Sequence, residues 1–353
     1  MPDLSTPHLI IGQGLAGTAL AWQLWQRGVP FLIIDRAEAV TSSKIAAGLL
    51  TPITGMRISL SENYGPWWSE AVQFYRHKEH LLGQRFLHSR SHVRLFKNDE
   101  EPKRWAKRAL DAEVQRFVHQ HPPQPLVDPT LFEAPRGGFQ MKHAGYLDTA
   151  AYLEASRSFF VERKCWVSGE FHTNDLTVTE YEVSWKQQTF SHATFCTGWE
   201  AMRHPWFDWV PFEPARGTLL TARADLAGER RILNGGCWVL PRPDGTLRIG
   251  STYETKFISA HEADPAKLAD LHARLQRLIK VPVEILDQQS AVRPIIARQR
   301  TLIGRHPARP RIAFFNGLGS KGTLRAPVFA RALASHLLEG TPLPAAMDLA
   351  GNL

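Results

Sequence analysis

Cysteines are few and long apolar runs are absent in this 353-residue sequence. The three cysteines, Cys165, Cys196 and Cys237, are far apart and include no Cys-x-x-Cys pair, which argues against a disulfide framework and against a zinc site of that type. No run of about 18 uncharged apolar residues occurs, so no membrane span is predicted. The first eight residues lack the basic flank of a signal peptide. These absences favour a protein of the reducing cytoplasm.

Acidic residues are also missing from residues 288–338, a stretch that carries nine lysines and arginines. This count exceeds the net charge of the whole chain, +8, by one, so the positive charge is concentrated in one C-terminal block. Such a block suits an anionic cofactor, a carboxylate substrate or nucleic acid. Solvated side chains and structural ion pairs give the same pattern, so the charge alone leaves these partners open.

The strongest motif is a glycine-rich turn near the start of the chain. The apolar residues 9–11 predict a buried strand, and residues 12–17 read Gly-x-Gly-x-x-Gly ahead of a helical pattern. A second predicted strand, residues 31–34, ends at Asp35, 18 residues beyond Gly17. The glycines allow the backbone to approach a pyrophosphate, the helix N-terminus offers free N–H groups, and Asp35 can accept hydrogen bonds from an adenosine ribose. Together these parts predict a dinucleotide-binding unit.

A second strand, glycine loop and helix occur late in the chain. Residues 311–315 predict a buried strand, and residues 317–322 contain three glycines. An amphipathic helix follows to about Leu338, with Pro327 expected in its first turn and Gly340 at its end. Its N-terminus would reach the same site, where it suits the negative charge of a reduced flavin.

With these motifs in place, the sequence resembles the glycine oxidase and D-amino acid oxidase (DAO) family of FAD-dependent oxidoreductases. The resemblance covers nearly the whole chain, although residues 55–138 match poorly. Residues 46–52 are mostly small and let the backbone lie against a flat ligand, although a tightly packed helix has the same composition. The resemblance is carried by residues 12–17 with Asp35, 46–52, 194–198, 214–217, 241–245, 249–250, 292–294, 303–305 and 317–327.

The resemblance implies an α/β fold with a Rossmann-like FAD-binding domain, of the glutathione-reductase type, and an antiparallel-sheet substrate domain. The residue pattern agrees, because residues 177–189 alternate like an exposed sheet and residues 237–240 and 247–249 flank an Asp-Gly turn like a hairpin. The implied ranges are 1–58, 142–200 and 290–353 for the FAD-binding domain, and 59–141 and 201–289 for the substrate-binding domain.

The predicted FAD contacts come from the two glycine-rich turns, the small-residue run and the Thr-Gly pair near residue 197. No cysteine lies in the late loop and no histidine in the early run, so non-covalent binding is expected. The predicted cofactor-binding residues are Gly12, Gly14, Leu15, Ala16, Gly17, Asp35, Arg36, Ser43, Lys44, Ala47, Gly48, Leu49, Thr197, Gly198, Gly317, Leu318, Gly319, Ser320, Lys321, Gly322 and Thr323.

The reaction that the resemblance implies is hydride removal from the carbon beside an amine, with delivery to flavin N5. Arg293, in a Val-Arg-Pro motif, would grip the substrate carboxylate, Lys321 would support the charge of the reduced flavin, and Tyr253 would cover the substrate. The alternatives without a catalytic role are a structural ion pair for Arg293, a solvated loop lysine for Lys321 and a packed sheet tyrosine for Tyr253. The substrate stays open among glycine, D-amino acids, N-methyl amino acids and hydroxy acids, and the electron acceptor is oxygen or another carrier.

Other functions remain possible on the sequence alone. A related FAD domain acts on a modified wobble uridine of tRNA, and the basic C-terminal block could contact phosphates. An NAD-dependent dehydrogenase shares only the first glycine motif, and a flavin-binding protein without turnover shares both. The pair His119 and His121 has no third ligand, so no metal site is predicted.

Overall fold

The structure, a computed structural model, describes residues 6–352, which form two large sheets with helices packed around them. The strands in chain order are β1 His8–Ile11, β2 Phe31–Asp35, β3 Leu49–Leu50, β4 Ile53–Thr54, β5 Ser59–Leu60, β6 Leu87–Ser89, β7 His92–Leu95, β8 Gly138–Met141, β9 Gly145–Leu147, β10 Trp166–Ser168, β11 Leu176–Val178, β12 Val183–Trp185, β13 Gln188–Phe190, β14 His192–Phe195, β15 Ala215–Arg223, β16 Ile232–Asn234, β17 Trp238–Pro241, β18 Leu247–Gly250, β19 Glu284–Arg293, β20 Leu302–His306 and β21 Arg309–Asn316. The helices are α1 Leu15–Gln26, α2 Ser42–Ile45, α3 Tyr64–Leu82, α4 Glu100–Arg108, α5 Ala112–Gln115, α6 Thr149–Glu162, α7 Pro265–Leu278 and α8 Gly322–Glu339.

The first sheet has six strands in the order β10-β2-β1-β14-β21-β20. Five are parallel, and β20 pairs antiparallel with β21 at one edge. Strand β1 is buried on both faces: Ile10 packs against the helix layer, while Leu9 and Ile11 pack against the small β11–β13 sheet. Burial on both sides explains the continuous apolar run in the sequence. The predicted early strands and helix are confirmed.

The second sheet has seven strands in the order β19-β15-β18-β17-β16-β7-β8. Its pairs are antiparallel except β16 with β7. The predicted hairpin is confirmed, because β17 and β18 pair across a turn that ends at Gly245, where φ is +80°. Residues 177–189 form the antiparallel meander β11–β13, with Val183 and Trp185 buried against the six-stranded sheet.

The late helix occurs where it was predicted and ends at Gly340, whose φ is +72°. The position expected for Pro327 is wrong, because α8 already begins at Gly322 and Pro327 lies in its second turn. Proline has no N–H to give to the carbonyl four residues earlier, that of Thr323. The hydroxyl of Tyr75, on α3, donates to this carbonyl at 2.9 Å instead. A contact from a distant helix thus makes the proline tolerable.

All six strands of the first sheet come from the ranges predicted for the FAD-binding domain. At two places, packing or a strand extends across the predicted domain boundaries. Helix α3 lies in the range 59–141 but packs on α8, with the rings of Trp67 and Phe329 5.7 Å apart. Strand β19 continues across the boundary at residues 289 and 290. Residues 1–5 and 353 lie outside the described residues, and the two-domain division stays a prediction.

Within residues 6–352, no helix combines the length and the apolar character needed to cross a bilayer.

Candidate cofactor and substrate site

A cavity of about 460 Å³ opens at the carboxyl ends of β1, β2, β14 and β21 and reaches one face of the seven-stranded sheet. Ligands of open parallel sheets bind in this position, because the strand ends and the following helix N-termini converge there. The early glycine turn and the late glycine loop both line the cavity. The fold therefore brings together two motifs that are about 300 residues apart in the sequence.

The early glycine turn forms the cavity wall at the N-terminus of α1. Gly12 has φ of +98°, and a Cβ there would lie 2.7 Å from the carbonyl oxygen of Cys196. The Leu15 N–H donates to the Ser43 hydroxyl at 3.1 Å, which ties α2 to this helix end. Gly17 does not line the cavity; a Cβ on it would lie 1.9 Å from the Gly12 carbonyl oxygen, so its lack of a side chain lets helix and strand pack closely.

Asp35 and Arg36 lie on the cavity wall at the end of β2. The Asp35 carboxylate accepts the backbone N–H groups of Gln13 at 2.6 Å and Ala37 at 2.7 Å, and so holds the glycine turn as well as facing the ligand. The hydrogen bond that Arg36 donates to Glu200, at 2.6 Å, raises the pKa of its guanidinium. Arg36 also forms ion pairs with Glu38 at 3.0 Å and Glu170 at 3.6 Å, so its charge is engaged by acidic neighbours.

The small-residue run lies along the cavity, with Ser43, Lys44, Ala47, Gly48 and Leu49 on its wall. Lys44 donates to the backbone carbonyl of Glu38, and burial lowers the pKa of its ammonium. Gly48 has φ of +64°, and a Cβ there would lie 1.9 Å from the Leu147 carbonyl oxygen. The run is small because its backbone must pass close to β9.

The late glycine loop closes the opposite side. Leu318, Gly319, Ser320, Gly322 and Thr323 line the cavity, as do Thr197 and Gly198 after β14. Gly317 lies outside the wall.

The Lys321 side chain also lies outside the wall and donates to the Ser61 hydroxyl at 2.9 Å. Burial lowers the pKa of its ammonium. The structure therefore directs this cation toward the β5–α3 connection, and its predicted contact with a flavin stays a prediction.

Arg293 lines the part of the cavity that faces the seven-stranded sheet. Its guanidinium donates to the Ser251 hydroxyl at 2.9 Å and approaches the Thr252 carbonyl oxygen at 3.5 Å. It lies directly over Gly217, where a Cβ would be 2.0 Å from Nη2. Burial lowers the pKa of Arg293, and nearby Tyr253 and Glu254 oppose this. Tyr253 is 60% exposed and lies outside the cavity wall, with its ring centroid 6.0 Å from the guanidinium carbon.

Several cavity residues were not singled out by sequence reasoning. Gly217 and Ser251 border Arg293, and Trp238 packs against Gly250 beside them. His261 lies at the rim, with Nδ1 3.3 Å from the Ser290 carbonyl oxygen. The glycine was visible in the Ala-Arg-Gly motif, but no local pattern indicates that Ser251 or His261 would reach this wall.

The donor set fits a dinucleotide. Two helix N-termini, a carboxylate at the end of β2 and close-passing glycine backbone surround the cavity, and these are the groups that a pyrophosphate, a ribose and a flat ring system require. Within residues 6–352, no group of three or more histidines, cysteines, aspartates and glutamates is arranged to hold a metal ion. The fold and the cavity thus define a dinucleotide-binding protein.

A family model of FAD-dependent oxidoreductases, DAO, matches residues 8–336. The chain therefore belongs to the DAO family of FAD-dependent oxidoreductases, and its cofactor is FAD. This confirms the fold, the enzyme class and the cofactor expected from the sequence.

Solved structures of the same fold cover almost the whole chain. Glycine oxidase from Bacillus cereus ATCC 14579 is 16% identical, with 96% of each chain covered and a TM-score of 0.81. Iminodiacetate oxidase from Chelativorans sp. BNC1 is 17% identical, with 97% of this chain and 99% of that chain covered and a TM-score of 0.75. L-proline dehydrogenase from P. horikoshii is 15% identical, with 98% and 96% covered and a TM-score of 0.76. At these identities the likeness shows the fold.

Proposed function

We propose that this chain oxidises the C–N bond of an amino acid or a related amine that bears a carboxylate. The observation that carries the proposal is the guanidinium of Arg293, which lines the cavity and, within residues 6–352, has no ion pair to an aspartate or glutamate. Its partners are the neutral oxygens of Ser251 and Thr252. A partly buried cation without a direct ion pair is costly, so a substrate carboxylate would complete its environment with a forked pair of hydrogen bonds.

Bound FAD would supply the acceptor for the hydride, at its N5 atom. The chain's own residues have two tasks. Arg293 holds the carboxylate, and the absence of a side chain at Gly217 leaves room for its guanidinium. The N-termini of α1 and α8 contribute positive potential on two sides of the cavity, which favours negative charge on the cofactor. Water then hydrolyses the imine product to a carbonyl compound and an amine.

The names of the structural neighbours support a substrate of this class. Glycine, iminodiacetate and proline, which appear in the names of those three proteins, all carry an amine beside a carboxylate. Their shared feature is the one that a cavity-facing arginine recognises.

Anaerobic addition of candidate substrates to the purified protein tests the proposal. Amino acids, N-methyl amino acids and hydroxy acids are added in turn, and the flavin absorption bands are followed. Bleaching by an amine that bears a carboxylate is expected, and the rate of reoxidation in air then distinguishes oxygen from another acceptor. Bleaching only by hydroxy acids, or by no member of the panel, would contradict oxidation of a C–N bond.

Arg293→Met tests the role of the arginine directly. Loss of charge-assisted hydrogen bonds worth ~3 kcal/mol is expected to lower kcat/KM by about 100-fold, while FAD remains bound. Arg305→Met is the matched control, because Arg305 is also partly buried and donates to carbonyl oxygens, but at the C-terminal end of α8, by Leu337. Equal losses in both variants would show that Arg293 does not bind the substrate.

A further inference from the structure

The wall around Arg293 is formed partly by residues 251–261, which we call the 251–261 segment. Ser251, Ala260 and His261 line the cavity. The segment contains no helix or strand. Three backbone hydrogen bonds tie its first part to β15: Thr252 N–H donates to the Thr218 carbonyl at 3.2 Å, and Glu254 and Arg216 exchange bonds at 3.0 and 2.9 Å. Among the described residues, 255–261 have no such backbone bonds, so the position of Ala260 and His261 at the cavity depends on side-chain contacts.

An ion pair between Arg216 and Glu254 provides those contacts. Their side chains are 6% and 1% exposed. Nε of Arg216 donates to the Glu254 carboxylate at 3.0 Å, and Nη2 donates to the same oxygen. Nη1 donates to the carbonyl oxygen of Ser259 at 2.7 Å. One guanidinium therefore holds the segment at two points five residues apart, and these points lie between Ser251 and His261.

The same pair is linked by hydrogen bonds to Arg293. The second oxygen of the Glu254 carboxylate accepts from the Thr252 hydroxyl at 2.6 Å. That hydroxyl also accepts the backbone N–H of Thr218 at 2.8 Å, and the carbonyl of Thr252 lies 3.5 Å from the Arg293 guanidinium. The negative charge of Glu254 raises the pKa of Arg293 against the effect of burial.

The ion pair itself does not line the cavity. Arg216 and Gly217 are neighbours on β15, so their side-chain directions are opposite, and Gly217 is the one that faces the cavity. Arg216 and Glu254 thus act from behind the wall. They are positioning residues and make no contact with the ligand space.

We propose that the Arg216–Glu254 pair sets the substrate affinity of this enzyme by fixing the 251–261 segment and, through Thr252, the Arg293 guanidinium. This inference rests on the proposed function, in which Arg293 binds a carboxylate. The pair determines how well the carboxylate is held, and it has little influence on hydride transfer once the substrate is bound.

Glu254→Gln in the FAD-bound enzyme tests the proposal. The amide keeps the shape of the side chain but leaves the buried Arg216 without a counter-charge. We expect Kd for acetate, followed by the change in flavin absorption, and KM for an amine that reduces the wild type to rise about tenfold or more, with kcat changed less than about threefold. The matched control is Glu101→Gln, because the Arg94–Glu101 pair is equally buried, at 4% exposure on each side, and lies outside the cavity wall.

A second variant separates positioning from stability. Arg216→Met with Glu254→Met removes both charges while it keeps similar volume, a change that often preserves or raises stability. It also removes the bond to Ser259. A thermal midpoint near that of the wild type together with a raised acetate Kd would support a positioning role of the ion pair. The double variant therefore tests the proposal even if Glu254→Gln fails to fold.

The outcomes distinguish this inference from the proposed function. An acetate Kd and KM in the Glu254→Gln and double-methionine variants no higher than in Glu101→Gln would overturn the positioning role while the proposed function stands. A wild-type enzyme whose flavin spectrum responds to no carboxylate would remove the proposed function, and this inference with it.

Discussion

Among single residues, Cys196 bears on how the cofactor is attached, because of the three cysteines it alone lines the cavity. Burial strongly raises the pKa of its thiol. A neutral thiol is a poor nucleophile, so the cysteine has little tendency to form a bond to the flavin ring. Close packing explains its presence, since its carbonyl oxygen is the atom nearest to the missing Cβ of Gly12.

We therefore expect FAD to be bound without a covalent link. Trichloroacetic acid precipitation of the purified protein should release the yellow colour into the supernatant, where FAD can be measured by its fluorescence. A fluorescent protein band that persists on a denaturing gel would contradict this expectation and would direct attention to Cys196, with Cys196→Ser as the variant to compare.

Much of the cavity wall could be predicted from the sequence, because glycine conformation and close approach are local requirements. Gly12 and Gly48 both have positive φ and both lie where a Cβ has no room. Lys321 and Tyr253 follow cavity residues in the sequence, but neither lines the cavity wall. Lys321 donates to Ser61, a neighbour that no sequence pattern indicated, and Tyr253 is 60% exposed beside Arg293. Their predicted roles stay predictions.

Among the elements, helix α8 depends on α3 at its second turn. The carbonyl of Thr323 lacks an N–H partner because of Pro327, and the buried Tyr75 hydroxyl donates to it. Tyr75→Phe would leave that carbonyl unpaired, and we expect it to lower the free energy of unfolding by about 1–2 kcal/mol, as measured by urea denaturation.

Tyr152 offers the matched control for this change. Its ring is 5.2 Å from that of Tyr75 and is equally buried, but its hydroxyl has no hydrogen-bond partner among the described residues. Tyr152→Phe is expected to be neutral or stabilising. Equal effects from the two variants would show that the bond to Thr323 does not compensate for the proline.

At the scale of the whole molecule, Lys78 is a charge inside the helix layer. It is fully buried, its ammonium has no hydrogen-bond partner among the described residues, and it lies 4.6 Å from the centre of the Trp22 ring. Burial lowers its pKa from 10.5 to about 8. Between these two values the unfolded chain binds the proton and the folded protein does not, so stability rises with pH across this window.

Lys78→Met should therefore stabilise the protein most at neutral pH. We expect the free energy of unfolding at pH 7 to rise by about 1–3 kcal/mol, less than the full shift because the contact with Trp22 already stabilises the cation. The gain should shrink as the pH approaches 10. Urea denaturation of both proteins at several pH values measures it, and a difference that stays constant with pH would exclude titration of Lys78 as the cause.

The basic C-terminal block is distributed over separate parts of the molecule. Arg293 faces the cavity, Arg305 bonds to backbone carbonyls, and Arg331 pairs with Glu70. Because these arginines are engaged within the protein, fewer cations of the block are free to contact the phosphates of a nucleic acid. We expect no tRNA binding even at about 50 mM salt. Binding that weakens steeply with added salt in a filter or mobility assay would instead favour the tRNA-modifying alternative.

The sequence by itself determined the dinucleotide-binding end of this protein. Strand, glycine turn, helix and acidic residue follow one another within the first 35 residues, and each depends on neighbours a few positions away. The sequence also pointed to Arg293, but only the tertiary structure decided what surrounds it, because β19, β15 and an irregular segment bring Gly217 and Ser251 to its guanidinium. Those contacts, like the support of Pro327 by Tyr75, join residues 42 to more than 200 positions apart, and strand register and packing create them without leaving a local pattern.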